Sequence, residues 1–332
     1  MDFTRRSALA LAGGAAAATA ITGGAMAQQR RLGSATKTEY WAATITPCNK
    51  DGAFDPGAMA AILQYHKQCG ADGVVVLGTS GEFPSFTVAE RKAILEAAVK
   101  NRNGLNVMVN PGTSNIGETI DLAKHAQSVG ADSLLVIPPF YFNRPPVEGV
   151  IKYYSMLMDA VQLPTNLYHI PGTSEVPISL ELLKAVHHYP HLAGIKDSSG
   201  DPAGYAAFVK GFPDLNMRTG TGNNLEMALD NGMGAILAEG NLFSRECADI
   251  FKTYRAKGAW KAKAQKLNAA IGAIMKVGGP EAAYSYGQMK YLLSQQMGGG
   301  DWYPRVPYPH LTDAQKAKLR EALAAAKAVL AS

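Results

Sequence analysis

Eight short apolar, β-rich runs alternate with eight segments of helical spacing, and no other feature of the chain constrains its fold as strongly. The strand-like runs fall at residues 40–46, 73–78, 105–110, 133–137, 165–170, 192–196, 215–219 and 234–238. Helical spacing of apolar residues occupies 56–69, 87–101, 115–129, 146–161, 179–188, 201–211, 223–231 and 244–257. Short, nearly continuous apolar runs are what strands buried on both faces of a parallel sheet require. Eight strand–helix units in succession predict an α/β protein of the (β/α)8 TIM-barrel class, and the usual size of about 250 residues fits the stretch 40–259. A doubly wound open sheet is the competing architecture, but the count of eight favours closure. Punctuation agrees: Gly70, Gly130 and Gly232 follow helix ends, while Asp55-Pro56 and Asp201-Pro202 have the form of an N-cap followed by a first-turn proline.

Beyond the eighth unit, residues 260–332 read as a C-terminal helical extension, with helices near 260–276, 281–296 and 312–329. The intervening GGGDWYPRVPYP is too rich in glycine and proline for a regular element. No linker separates a second domain.

Residues 1–27 read as a twin-arginine signal peptide, with 28–39 as a lead-in to the barrel. Thr4, Arg5 and Arg6 precede a weakly apolar Ala/Gly stretch, and Ala25-Met26-Ala27 supplies a small-x-small cleavage site. Leu9 fits the pattern, whereas the usual phenylalanine after the arginine pair is missing. Export to the periplasm is the expectation. Cleavage would remove one acidic and two basic residues, taking the formal charge from +5 to +4. That balance lacks a dense basic cluster, so nucleic acid is not an expected partner, and no later segment approaches a membrane span. Cys48, Cys69 and Cys247 show no CxxC spacing and are expected to be free thiols, with Cys48 at the end of TITPC placed near a pocket.

In a barrel of this class, functional groups sit at the C-terminal ends of strands and in the loops that follow. Lys196 has that address, between HLAGI (191–195) and DSSGD (197–201). Burial disfavours an ammonium and frees the amine as a nucleophile. Tyr168 ends the fifth run, Thr79 and Ser80 follow the second, and Tyr141 follows the fourth. Gly220 to Asn223 follow the seventh run, and Ile236 and Glu239 to Asn241 lie on or after the eighth. A lysine, a tyrosine and hydroxyls at one rim suggest carbonyl chemistry through a Schiff base. Breaking a bond beta to a carbonyl leaves a carbanion, and a protonated imine accepts that charge as an enamine without a metal. The expected cofactor is therefore none, only a covalent imine on Lys196. GTGNN (220–224) lacks a third glycine and follows the wrong strand for a dinucleotide fingerprint. His66, His125, His187, His188, His191 and His310 are scattered, so no metal site is expected. His169 adjoins Tyr168, but strand alternation directs it to the opposite face.

Five motifs, in order and each at a strand end, resemble those of the pyruvate-dependent class I aldolases that include dihydrodipicolinate synthase and N-acetylneuraminate lyase. They are GTSGE (78–82), PPFYFNRP (138–145), YHIPG (168–172), GIKDSSGD (194–201) and GAILAEGN (234–241). The resemblance covers roughly residues 40–328 and implies that Lys196 condenses with the ketone of pyruvate or another 2-oxo acid. It implies Tyr168 as general acid/base, with Thr79 and Tyr141 as relay partners, the latter reaching across a subunit interface of a homodimer or homotetramer. Ser80, with the Thr79 backbone, is implied to grip the substrate carboxylate. Thr173, Gly220, Ile236 and Asn241 complete the candidate substrate-binding set.

Two departures bear on substrate. Members that make dihydrodipicolinate carry an arginine where Thr173 stands, and sialic acid lyases carry an acidic pair where Gly222 and Asn223 stand. The expected activity is a lyase or aldolase that cleaves or forms a 4-hydroxy-2-oxo acid or 2-keto-3-deoxy sugar acid, with pyruvate and an aldehyde as partners. A dehydratase or synthase on the same imine, and a periplasmic oxo-acid binding protein without turnover, are the alternatives.

Overall fold

The protein is described here as a computed structural model covering residues 37–278 and 285–332. The expected signal peptide, and all of the lead-in before residue 37, lie outside the described residues.

Eight parallel strands close into a barrel in sequence order: β1 (Tyr40–Ala43), β2 (Gly73–Val76), β3 (Asn106–Val109), β4 (Ser133–Val136), β5 (Thr165–His169), β6 (Leu192–Asp197), β7 (Asn216–Thr219) and β8 (Ala235–Leu237). β8 pairs with β1 and completes the ring. Helices α1 (Pro56–Cys69), α2 (Val88–Lys100), α3 (Ile116–Val129) and α4 (Val147–Ala160) cover the first half. A single turn, α5 (Pro171–Ser174), then precedes α6 (Leu180–Val186), α7 (Pro202–Gly211), α8 (Leu225–Asp230) and α9 (Gly240–Arg255). The extension comprises α10 (Trp260–Gly278), α11 (Ser285–Gln296) and α12 (Asp313–Ala331). α10 packs along α12 and α9, and α11 lies against both α9 and α12.

The sequence punctuation acts as physical chemistry requires. Asp55 and Asp201 each accept a backbone N–H in the first helical turn, ahead of a proline that needs no such partner. Gly70 and Gly130 adopt left-handed conformations that stop α1 and α3. The largest boundary differences lie around β1 and β8. The first strand ends at Ala43, three residues before the expected 46, because the chain there turns into the grip of Asn241. Ile45 N–H donates to Asn241 Oδ1 at 3.0 Å, and Asn241 Nδ2 donates to Ala43 O at 2.9 Å. The helix expected over 244–257 starts at Gly240 and is broken by non-helical angles at Phe243 (φ −127°, ψ 44°). Among the described residues, no helix is long and apolar enough to cross a membrane.

One core contact outside the mouth reports on pH. His66 on α1 is fully buried, with Nδ1 3.1 Å from Ser244 Oγ, which also lies 3.1 Å from Tyr40 Oη. Burial pushes His66 down to about 3 from an ordinary 6.5. The folded state thus favours neutral imidazole, so its contribution is complete above the ordinary value and is lost as pH falls from there towards 3. Unfolding free energy should decline by about 1.4 kcal/mol per pH unit from this group over that window. Denaturant titrations between neutral and acidic pH should show that increment, and His66→Gln should remove it.

Candidate active site

Strand register brings the principal groups together. β5 and β6 pair so that Tyr168 lies opposite Lys196, placing both side chains on one face at neighbouring strand ends. Lys196 Nζ donates to Tyr168 Oη at 3.3 Å and lies 4.4 Å from the phenol ring centroid. Thr79 Oγ1, in the loop after β2, is 3.1 Å from Tyr168 Oη across the mouth. Lys196 and Tyr168 are only 4% and 2% exposed, so water does not dilute these contacts. His169, one residue on, faces away: its Nδ1 accepts the Ile178 N–H at 3.0 Å and its ring meets Phe208 edge-on.

The Tyr168 phenol is under opposed influences. Burial pushes it up, but the Lys196 charge and hydrogen bonds with Thr79, Ser198 and Lys196 together hold it below the usual phenol value. Ser198 was not among the sequence candidates. Its signal was present, because strand alternation places a residue two positions after Lys196 on the same face. Gly220 is required here, since a Cβ at this position would stand 2.8 Å from Lys196 Cε.

The turn after β2 is held from outside the barrel. Glu82 stands in a left-handed conformation (φ 53°) immediately after the Thr79–Ser80–Gly81 turn. Its carboxylate forms a fully buried ion pair with Lys290 of α11, and its Oε1 also accepts the Arg305 N–H at 3.3 Å. Burial pushes the Glu82 carboxyl up against the pull of Lys290. Lys290 Nζ further donates to Tyr303 O at 3.0 Å and lies 3.8 Å from Cys48 Sγ. Cys48 is thus sealed behind the turn, packed against Lys290 instead of facing a pocket, and burial raises its thiol above the usual value. All three cysteines are free thiols.

Two clefts flank this centre. One of about 400 Å³ is lined by Ser80, Thr221, Gly222 and Glu239 on the barrel side and by α10 and α11 opposite. The other, of about 250 Å³, contains Thr79, Thr173, Phe140 and Tyr308. Tyr286 lines both. Ser80, Thr79, Thr173 and Gly220 therefore gather at the mouth with Lys196 and Tyr168.

Three sequence candidates are placed differently. Asn241 is fully buried, and besides gripping Ile45 and Ala43 it donates to Ala238 O at 2.8 Å. Its amide nitrogen spends both hydrogens on backbone carbonyls and its oxygen accepts one backbone N–H, so it ties the ends of β1 and β8 together. Ile236, in register with Trp41, is likewise closed off in the barrel interior. Tyr141 is 87% exposed on the loop after β4, with φ 83° and its ring edge-on to Phe142, so within one chain it does not reach Tyr168. Among the described residues, no group of three or more His, Cys, Asp or Glu side chains is arranged to hold a metal ion.

Residues 37–326 match the model of the dihydrodipicolinate synthetase family. The chain is 30% identical over 290 residues to a 4-hydroxy-tetrahydrodipicolinate synthase of Gluconacetobacter diazotrophicus, covering 86% of this chain and 95% of that protein. It is 31% identical over 286 residues to an uncharacterized DapA-like lyase of Chloroflexus aurantiacus, covering 84% and 94%. A solved prophage protein of E. coli, from the dihydrodipicolinic acid synthase family and in complex with pyruvate, superposes with a TM-score of 0.81. That match is 26% identical and covers 87% of this chain and 98% of the other.

The balance on Tyr168 can be measured. Thr79→Val and Ser198→Ala each remove a hydrogen bond to the phenol, so each should raise its titration point in an ultraviolet tyrosinate titration, judged against Tyr168→Phe.

Proposed function

We propose that this chain, which belongs to the dihydrodipicolinate synthetase family, is a class I lyase that cleaves and forms a 4-hydroxy-2-oxo acid through an imine on Lys196. The supporting observation is the buried Lys196–Tyr168–Thr79 chain of contacts, with Nζ to Oη at 3.3 Å and Oη to Oγ1 at 3.1 Å. The Lys196 amine adds to the 2-oxo carbon, and loss of water from the carbinolamine gives a protonated imine. The C3–C4 bond then breaks, its electron pair passing to C3 to form the enamine while C4 becomes an aldehyde carbonyl. The 4-hydroxyl proton passes to Tyr168, whose depressed pKa enlarges the fraction present as the phenolate that can accept it. C3 is then reprotonated, and water hydrolyses the imine to release pyruvate and free Lys196.

Ser80 and the turn after β2 are suited to the 2-oxo acid carboxylate, because a turn of N–H and O–H groups binds an anion without a cationic side chain. Thr173 leaves the second cleft without an arginine, which disfavours aspartate semialdehyde as the aldehyde partner. Glu239 faces the larger cleft and would repel a phosphate there. A dehydratase or synthase acting through the same imine is the second reading, since loss or retention of the hydroxyl is decided after imine formation.

Two features carry over as parts of the proposal. The outward Tyr141 fits a subunit pair in which it completes the partner's proton relay, giving a homodimer or homotetramer. The Arg5-Arg6 leader fits export to the periplasm by the twin-arginine route.

Borohydride reduction in the presence of pyruvate, followed by peptide mass spectrometry, should place a reduced adduct on Lys196, and Lys196→Met should show none. An unmodified Lys196 in the wild type would overturn the imine. Tyr168→Phe should still trap pyruvate but lose about 10²- to 10⁴-fold in turnover. If Tyr141 acts across an interface, mixing Tyr141→Phe and Lys196→Met subunits should yield activity above that of either variant alone once the oligomers have exchanged, because each hybrid pair unites the intact Lys196 of one subunit with the intact Tyr141 of the other.

A further inference from the structure

The turn that carries Thr79 and Ser80 lies between two strained residues. Leu77 (φ 56°) and Glu82 (φ 53°) both hold left-handed backbone conformations, although neither is a glycine. A Cβ crowds the following carbonyl there, so such conformations persist only where surrounding contacts enforce them. Between them, Gly81 N–H donates to Gly78 O and Glu82 N–H donates to Thr79 O, each at 3.0 Å. These two bonds curl the turn but do not decide where it stands relative to β5.

Its position is set from two sides. On the barrel side, Thr46 Oγ1 in the loop after β1 donates to Gly81 O at 2.9 Å. On the outer side, the Glu82 carboxylate pairs with Lys290 Nζ of α11 and accepts the Arg305 N–H. Both outer partners are themselves anchored. Lys290 Nζ donates to Tyr303 O at 3.0 Å, and Tyr303 N–H donates to Cys48 O at 3.0 Å. The Arg305 guanidinium pairs with Glu90, in the first turn of α2, at 2.7 Å and lies 4.5 Å from the Phe86 ring centroid. A glycine at position 82 would take up the left-handed backbone without strain, yet it has no side chain to reach Lys290. Position 82 holds a carboxylate in spite of that strain.

We infer that Lys290 of the C-terminal extension is a positioning residue for the reaction: through Glu82 it holds the β2 turn where Thr79 meets the Tyr168 phenol and Ser80 faces the larger cleft. Lys290 is fully buried and lines neither cleft, so its influence on the reacting groups passes through the turn. With the tie released, Glu82 relaxes out of the left-handed region and the displacement reaches Thr79, three residues back. Thr79 Oγ1 stands 3.1 Å from Tyr168 Oη, and a shift of about 0.5 Å takes it out of hydrogen-bond range. The inference deepens the imine reading above: the carboxylate grip by Ser80 rests on that reading, whereas the Thr79–Tyr168 contact does not.

The test compares the full-length wild type with Glu82→Gln/Lys290→Met, which removes the tie without leaving a charge buried alone. Ultraviolet tyrosinate titration, judged against Tyr168→Phe, should show the phenol titrating higher than in the wild type, as in Thr79→Val. Adding Thr79→Val to the double variant should raise it no further, since both changes act on one contact. The pyruvate concentration for half-maximal borohydride trapping should rise about tenfold, the scale of one hydrogen bond to a charged group, while saturating pyruvate still traps on Lys196. Glu82→Gln alone, nearly isosteric, should move both readouts the same way by less, and it decides the matter if the double variant does not fold. A residue that only stabilised the fold would lower the melting temperature and leave the titration point and the half-saturation unchanged. That result, or a full further rise on adding Thr79→Val, overturns the inference. If wild-type Lys196 traps no pyruvate, the imine reading falls, and the Tyr168 titration by itself decides whether Lys290 holds the turn.

Discussion

Closure of the barrel is the constraint on which the rest depends. Each strand is hydrogen-bonded on both sides, so β5 and β6 cannot slip past one another without disturbing the whole ring. A slip of one residue would turn Lys196 from the barrel interior to the helical layer, because side chains alternate with a period of two. The register that sets Tyr168 opposite Lys196 thus follows from the architecture, and Thr79 reaches the same phenol only because β2 stands across the same mouth. Three polar side chains from separate strand ends are held in one poorly hydrated place, where each strengthens the others.

A second device ties the mouth to the extension. Glu82 and Lys290 are buried together, so removal of either would leave a charge uncompensated, at a penalty of about 3–5 kcal/mol. This pair fixes the turn that carries Thr79 and Ser80 to α11, while α11 also supplies Met289 and Leu292 to the larger cleft. The extension is accordingly part of the candidate site: it closes over the barrel mouth, holds the turn that carries Thr79 and Ser80, and supplies apolar surface to one cleft.

The two clefts divide the work by chemistry. Thr79 and the β2 turn line the smaller cleft beside Tyr168, whereas the larger one is mainly aliphatic surface interrupted by Ser80, Thr221, Asn223, Glu239, Asn268 and Gln288. Family membership makes the chain's chemistry that of lyases and synthases, and Lys196 is the residue proposed to carry it. The chain's own departures, Thr173 and the Gly222–Glu239 contact, shape the region beyond it.

Much of the fold and the centre of the site were legible in the residues themselves. Alternating periodicity is a local property, and it marked eight strand–helix units; strand ends are local too, and they marked Lys196, Tyr168, Thr79 and Ser80. Ser198 could have been found by the same alternation. What only the tertiary structure decided are partnerships between distant residues. Asn241 has the look of a loop ligand, yet it is consumed by Ile45, 196 positions away. Tyr141 follows a strand end like the others, but its loop turns outward and leaves it exposed. Glu82 and Lys290, and the contact of Glu239 with the Gly222 N–H, have no signature in any window of sequence. A hydrogen bond or ion pair is a statement about space, and the chain's local pattern determines which face a residue occupies while only its folded path determines what it meets there.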